Sequence, residues 1–302
     1  MIPGLGRFVP ATAPASSLIV AAGGTSTSTA YIATSPDGIT WTSRSVTGGA
    51  LNGVAYSPSL GLYCAVGNAG LIVTSPDGVT WTSRTSGTSD AIFGVIWGIG
   101  VFVAFGFNAG IRTSSDGITW TSRTNPLPTG GYRGGTVFGS RLILIGSDGA
   151  AGGRIAYSDN GTSWTAANTN TGDWFGGAAS AGLMVLTGNL GRIQTSANTT
   201  SWTSQSSGTS SDLRDAEWNG SLFAAVGVNQ LRTSPDGVTW TDRSGGISNR
   251  TMRGVTWTGT QFVAVGESGG PLTPRVYTSP DGLTWTERST GLSSAGFTAV
   301  CS

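Results

Sequence analysis

The chain has 302 residues, including 49 glycines, 12 prolines, 16 basic and 15 acidic residues and no histidine. A formal net charge of +1 argues against non-specific nucleic-acid binding, which needs a basic surface to displace counterions. Without histidine there is no Ser-His-Asp relay and no histidine general base, and a zinc site would need rare ligand sets. No residue spacing points to a metal or an organic cofactor.

In chain order, residues 1–16 come first, with Pro3, Pro10 and Pro14 set among Ile2, Leu5 and Phe8. They match neither a signal peptide nor a strand, and are expected to form an extended arm that docks onto a partner. No segment approaches the roughly 20 apolar residues of a membrane helix. From residue 17 to residue 302 the chain reads as one domain. Two short apolar runs, 17–22 and 30–35, lead into the phrase Ser35-Pro-Asp-Gly-Ile-Thr-Trp41. A full unit follows, with strands predicted over 52–57, 61–67, 70–75 and 79–84. The short Gly/Ser/Asn/Pro links between them favour antiparallel hairpins.

The same phrase closes at Trp81 and returns at Trp120, Trp164, Trp202, Trp240 and Trp285, at spacings of 38 to 45 residues. That interval holds one four-stranded sheet and matches the period of propeller blades. A lone sheet of this kind has two apolar faces, and radial stacking covers both while shortening the edges. Before Trp41 there is room for only two strands, and after Trp285 the run 296–301 looks like a first strand with nothing behind it. Joining the two ends completes a blade. The expected fold is therefore all-β, a seven-bladed β-propeller of four-stranded antiparallel blades closed by the C-terminal strand.

The phrase has the chemistry of a turn. Proline presets φ, glycine accepts φ > 0, and Asp37, Asp77, Asp116, Asp236 and Asp281 can accept backbone N–H bonds. Each tryptophan then carries apolar area into the gap between sheets and needs a partner for its indole N–H. Copies four and five depart from the pattern, with Asn160 and Asn198 at the aspartate position and Thr199 in place of glycine.

These residues resemble the Asp-box, or bacterial neuraminidase repeat, of sialidases and many unrelated propellers, with one residue fewer between Asp and Gly. The resemblance covers residues 17–302 and implies a fold, since in that family the box is a structural turn away from the ligand face. The short version is also similar to repeats in bacteriophage virion proteins. That second resemblance implies a non-enzymatic virion protein, made in the host cytoplasm and part of a larger assembly. Its disc would attach to a host-surface glycan, or to a neighbouring structural protein through residues 1–16. A sialidase-like glycoside hydrolase is the alternative. That family uses three arginines, a tyrosine nucleophile with a glutamate partner and an aspartate acid/base, but its Arg-Ile-Pro motif is met only by Arg7-Phe-Val-Pro10. A purely structural assembly protein is a third reading.

For ligand binding, Arg133, Arg214 and Arg253 each open an innermost strand, where a propeller narrows to its channel. Three guanidinium groups there could hold a carboxylate or sulfate. Asp212, Asp215 and Glu217 flank Arg214, and Tyr132 precedes Arg133. Phe93, Tyr132 and Trp174 border Gly/Ser/Thr-rich loops and are candidate platforms for a sugar ring. A second set, Arg44, Arg84, Arg123, Arg243 and Arg288, follows the tryptophans by three residues and is expected on solvated outer edges. Cys64 and Cys301 lie in apolar strand contexts that suit buried thiols, and sequence alone leaves a disulfide between them open.

Overall fold

In the computed structural model, the described residues are 18–25, 29–108, 110–127, 130–147, 152–168, 172–245, 247–269, 273–292 and 296–302. The expected arm at 1–16 lies outside them. The chain forms seven four-stranded antiparallel sheets. Blades two to seven run in sequence order from the innermost strand outwards, as in Leu51–Ser57, Leu62–Gly67, Ile72–Ser75 and Thr82–Arg84 of blade two. Blade one is built from both ends. Its innermost strand is Phe297–Cys301, followed outwards by Ile19–Thr25, Thr29–Ser35 and Thr42–Arg44. The latch is antiparallel, pairing Val20 with Cys301, Ala21 with Val300 and Ala22 with Ala299.

Strand alternation explains why the blades stack. In Ile19–Thr25, Val20 and Ala22 pack towards blade two, whereas Ile19 and Ala21 pack towards blade seven. Each of the seven apolar clusters among the described residues fills one seam between neighbouring blades. Strands covered on both faces read as unbroken apolar runs, and every residue of Phe223–Gly227 is buried. Phe297 anchors the closure, fully buried against Tyr31 at 5.7 Å and Trp41 at 5.6 Å between ring centroids.

The repeated phrase is the turn between the third and fourth strands. In blade one, Asp37 Oδ1 accepts from Ile39 N at 2.8 Å, Thr40 N at 2.7 Å and Ser35 Oγ at 3.0 Å. Trp41 Nε1 donates to Gly38 O at 3.1 Å. The indole bond recurs at Trp81, Trp120, Trp240 and Trp285. Backbone N–H donors hold the Asp37, Asp77, Asp116, Asp236 and Asp281 carboxyls below the usual range. Asn160 and Asn198 do the same work through their amide oxygens, accepting from Thr162 N and Ser163 N, and from Thr200 N and Ser201 N. Trp164 packs at the seam between blades three and four and Trp202 at the seam between blades four and five, like the other repeat tryptophans.

Glycine suits this turn, in the six copies that carry it, for two reasons. Gly78 has φ +70°, and a methyl there would come within 2.6 Å of Leu18 Cδ2 on the preceding blade.

The outer arginines are more than solvated charges. The Nε atoms of Arg44, Arg84, Arg123, Arg243 and Arg288 each donate to a threonine hydroxyl one strand inwards, at 2.7 to 3.1 Å. Cys64 is buried and Cys301 partly buried, and both are free thiols with no disulfide between them.

Candidate functional site

Every innermost strand slips register by one residue near its start. The slips fall between Leu51 and Gly53, Ile92 and Gly94, Tyr132 and Gly134, Trp174 and Gly176, Leu213 and Asp215, and Met252 and Gly254. In blade one the slip lies opposite Thr298. A bulge leaves one residue unpaired and re-aims its side chain. The seven residues so placed are Thr298, Asn52, Phe93, Arg133, Phe175, Arg214 and Arg253, and all of them line a central cavity of about 500 Å3.

Their chemistry is uneven around the ring. Thr298 Oγ1 donates to Leu51 O at 2.8 Å, and Asn52 Nδ2 to Ile92 O at 2.9 Å, so these two tie adjacent blades together. Phe93 meets Phe107 edge-on at 5.5 Å. The Arg133 guanidinium sits over Phe107 at 5.1 Å and Phe175 at 5.6 Å, and the Arg214 guanidinium over Phe175 at 4.4 Å. Arg214 Nη2 pairs with Asp212 Oδ2 at 2.9 Å, and Arg253 pairs with Glu267, its Nε at 2.8 Å from Oε1. Arg133 is exposed and has no carboxylate partner among the described residues. Arg214 Nε is enclosed without a hydrogen-bond partner among the described residues. Desolvation, with Arg253 and Arg133 nearby, pushes the Arg214 guanidinium below its usual range, while Asp212 opposes the shift.

Position after the bulge sets the channel's width. It is glycine in five blades, and a methyl on Gly134 would lie 2.3 Å from Phe175 O. Blade six carries Asp215 there instead. Asp215 Oδ2 accepts from Val255 N of blade seven at 3.0 Å, and Glu217 follows two residues on in the same channel wall. Both line the lumen and are half-buried in its wall. Desolvation raises Asp215 to about 7 and Glu217 to about 8, the latter also through repulsion by Asp215. They titrate as a coupled pair.

Of the residues singled out from sequence, the structure brings Arg133, Arg214, Arg253, Phe93 and Asp215 to the channel. Tyr132 and Trp174 are placed elsewhere. Both are fully buried, in the ring of residues just before each bulge that also contains Leu51, Ile92, Leu213, Met252 and Phe297. Tyr132 OH donates to Asn125 Oδ1 at 2.7 Å inside the protein. The extra residue of the bulge explains the exchange, since it turns Arg133 and Phe175 to the lumen and their predecessors inwards. Phe175, Phe107, Asn52, Thr298 and the ion-pair partner Glu267 were not anticipated as site residues. The signal was available in the repeat, because a small residue follows the bulge position in six of the seven first strands. Among the described residues no cluster of three metal-ligating side chains occurs, and no helix is long and apolar enough to cross a membrane.

The chain is thus a seven-bladed β-propeller with an arginine-rich channel mouth. No family model matches it, and no curated protein sequence matches it. Among solved structures it is similar to the propeller in "YCF48 bound to D1 peptide", with TM-score 0.64 and 16% identity over 82% of this chain and 90% of that one. It is similar to the WD40 propeller domain of Doa1, with TM-score 0.62 and 14% identity over 86% and 89%. A component of a nidogen/laminin complex also matches, with TM-score 0.54 and 12% identity over 72% and 89%. At these identities the likeness concerns the fold.

Proposed function

We propose that this chain is a non-enzymatic binding propeller whose channel mouth captures a carboxylate-bearing segment of a protein partner. The observation that carries the reading is exposed Arg133, which has no carboxylate partner among the described residues, beside Arg214 on the shared Phe175 ring. Three arginines face two carboxylates at the mouth, Asp212 and Glu267, so a positive charge and spare donors remain. Partial desolvation over Phe175 strengthens what those donors offer an anion. Two of the similar structures are a peptide complex and a protein complex, which supports a protein partner over a small molecule.

The setting we propose is a bacteriophage particle, with attachment to a neighbouring structural protein; its support is the resemblance of the tryptophan-ended repeat. A sialidase-like role receives less support. The tyrosine beside the arginines, Tyr132, is buried and bonded to Asn125, so it offers no nucleophile to the lumen.

A fluorescein-labelled hexaglutamate peptide provides the test. Saturable binding is expected that weakens about tenfold in Arg133→Ala and Arg214→Ala and falls steeply with added salt, as charge pairs in a wet mouth should. Binding indifferent to both substitutions, or turnover of a sialylated substrate that Arg214→Ala abolishes, would overturn the reading. Detection of the chain in purified particles by mass spectrometry checks the setting separately.

A further inference from the structure

Blade six ends in the shortest outer strand of the ring, Thr241–Asp242, where the other blades use three or four residues. Arg243 N still donates to Leu231 O at 2.7 Å, and beyond it the chain turns, with Ile247 N donating to Ser244 O at 2.9 Å. A groove of about 540 Å3 lies there between blades six and seven, within the roughly 300–1,000 Å3 of small-molecule sites. It shares no lining residue with the channel.

The groove has an apolar side and a polar side. Ile247, exposed Leu283 and Trp285 form the first, the indole backed by Phe262 at 5.9 Å between centroids. Arg250, Tyr277 and Glu287 form the second. Arg250 Nη1 donates to Asn249 O at 3.1 Å, but its enclosed Nε has no hydrogen-bond partner among the described residues and stands 3.7 Å from Glu287 Oε1. Arg275 Nη1 holds the same Glu287 oxygen at 3.0 Å from outside the groove.

We infer that this groove is a binding site for a neutral sugar. A guanidinium donor beside a carboxylate acceptor presents opposite hydrogen-bonding partners within reach of two adjacent hydroxyls, one accepting from Arg250 and the next donating to Glu287. A free anion would meet the Glu287 carboxylate, and a cation would meet Arg250 and Arg243. Neutral vicinal hydroxyls meet neither penalty. The Leu283 and Trp285 surface suits the C–H face of a pyranose ring. The inference is independent of the channel-mouth reading.

N,N′-diacetylchitobiose, lactose and maltose, titrated against the full chain by saturation-transfer NMR and tryptophan fluorescence, test it. At least one should bind saturably, and Glu287→Ala should weaken that binding about tenfold or more. Leu283→Asp, at an exposed position that the fold tolerates, should do the same, while Arg214→Ala at the channel leaves it unchanged. The inference is overturned if none of the three sugars binds saturably. Binding that survives both groove substitutions, or sialic acid binding more tightly than every neutral sugar, overturns it equally.

Discussion

Arg141 of blade four and Thr199 of blade five meet at 3.0 Å, Nη1 to Oγ1, at a seam where both residues break the repeat. In five other blades an aliphatic side chain stands at the Arg141 position, Leu18, Leu62, Val101, Leu183 or Leu222, and faces the glycine of the next blade's turn, while blade seven places Gln261 there. Here the glycine has become a fully buried threonine with φ +65°. The aliphatic has become an arginine that also clamps Asp159 through two bonds, at 2.7 and 3.0 Å. The two departures answer one another.

A double-mutant cycle measures that answer. Arg141→Leu should strand the buried Thr199 hydroxyl and cost about 1–3 kcal/mol. Adding Thr199→Gly restores the regular seam and removes a β-branched residue from the left-handed region, a strain of order 1–3 kcal/mol. The double variant is expected to be more stable than Arg141→Leu, with a coupling of about 0.5–3 kcal/mol in urea unfolding. Strictly additive effects would mean that the pair does not act as a unit.

The closure can be tested at one side chain. Phe297 is fully buried between Tyr31 and Trp41 on the strand that joins the two ends. Phe297→Ala should cost about 3–5 kcal/mol, the usual range for an aromatic removed from a packed core. Because the lost contacts hold the ring shut, hydrogen exchange should quicken first in Ile19–Thr25 and Thr29–Ser35. Uniform protection loss around all seven blades would count against a latch role.

How far the sequence could be read followed from where its signals are written. The turn phrase is local chemistry, so Asp37, Gly38 and Trp41 could be assigned before any strand was placed. The latch followed from counting strands at the two ends. The channel face was harder, because a bulge shifts side-chain alternation by one residue. Tyr132 and Trp174 look equivalent to Arg133 and Phe175 in a periodic reading, yet only the second pair reaches the lumen. The rim groove lies beside an outer strand one or two residues shorter than its counterparts, a difference too small for hydropathy to report.

Phe175 connects two of the mouth arginines without carrying charge. Its ring lies under both Arg133 and Arg214, and such contacts are worth about 0.5–2 kcal/mol. Phe175→Ala should therefore weaken hexaglutamate binding by roughly 2- to 30-fold. Phe175→Tyr keeps the platform and should restore most of the loss. Equal defects in both variants would assign Phe175 to packing alone.

The channel carboxyls make stability depend on pH in an unusual window. Asp215 and Glu217 are raised by desolvation to about 7 and about 8, well above the unfolded-chain range near 4. Between pH 4 and 8 the folded protein thus holds protons that the unfolded chain has released, so stability falls as pH rises through that interval. The turn aspartates act in the opposite sense. Backbone N–H donors lower them, Asp116 to about 2, so their contribution is lost only as pH falls below about 4. With no histidine in the chain, no other side-chain type ordinarily titrates between pH 5 and 7. The melting temperature should therefore decline by several degrees from pH 5 to pH 8.5. Asp215→Asn with Glu217→Gln should flatten that decline, since the amides keep the shape and lose the ionisation. A variant whose melting temperature tracks the parent in parallel across this range would remove these carboxyls as the source.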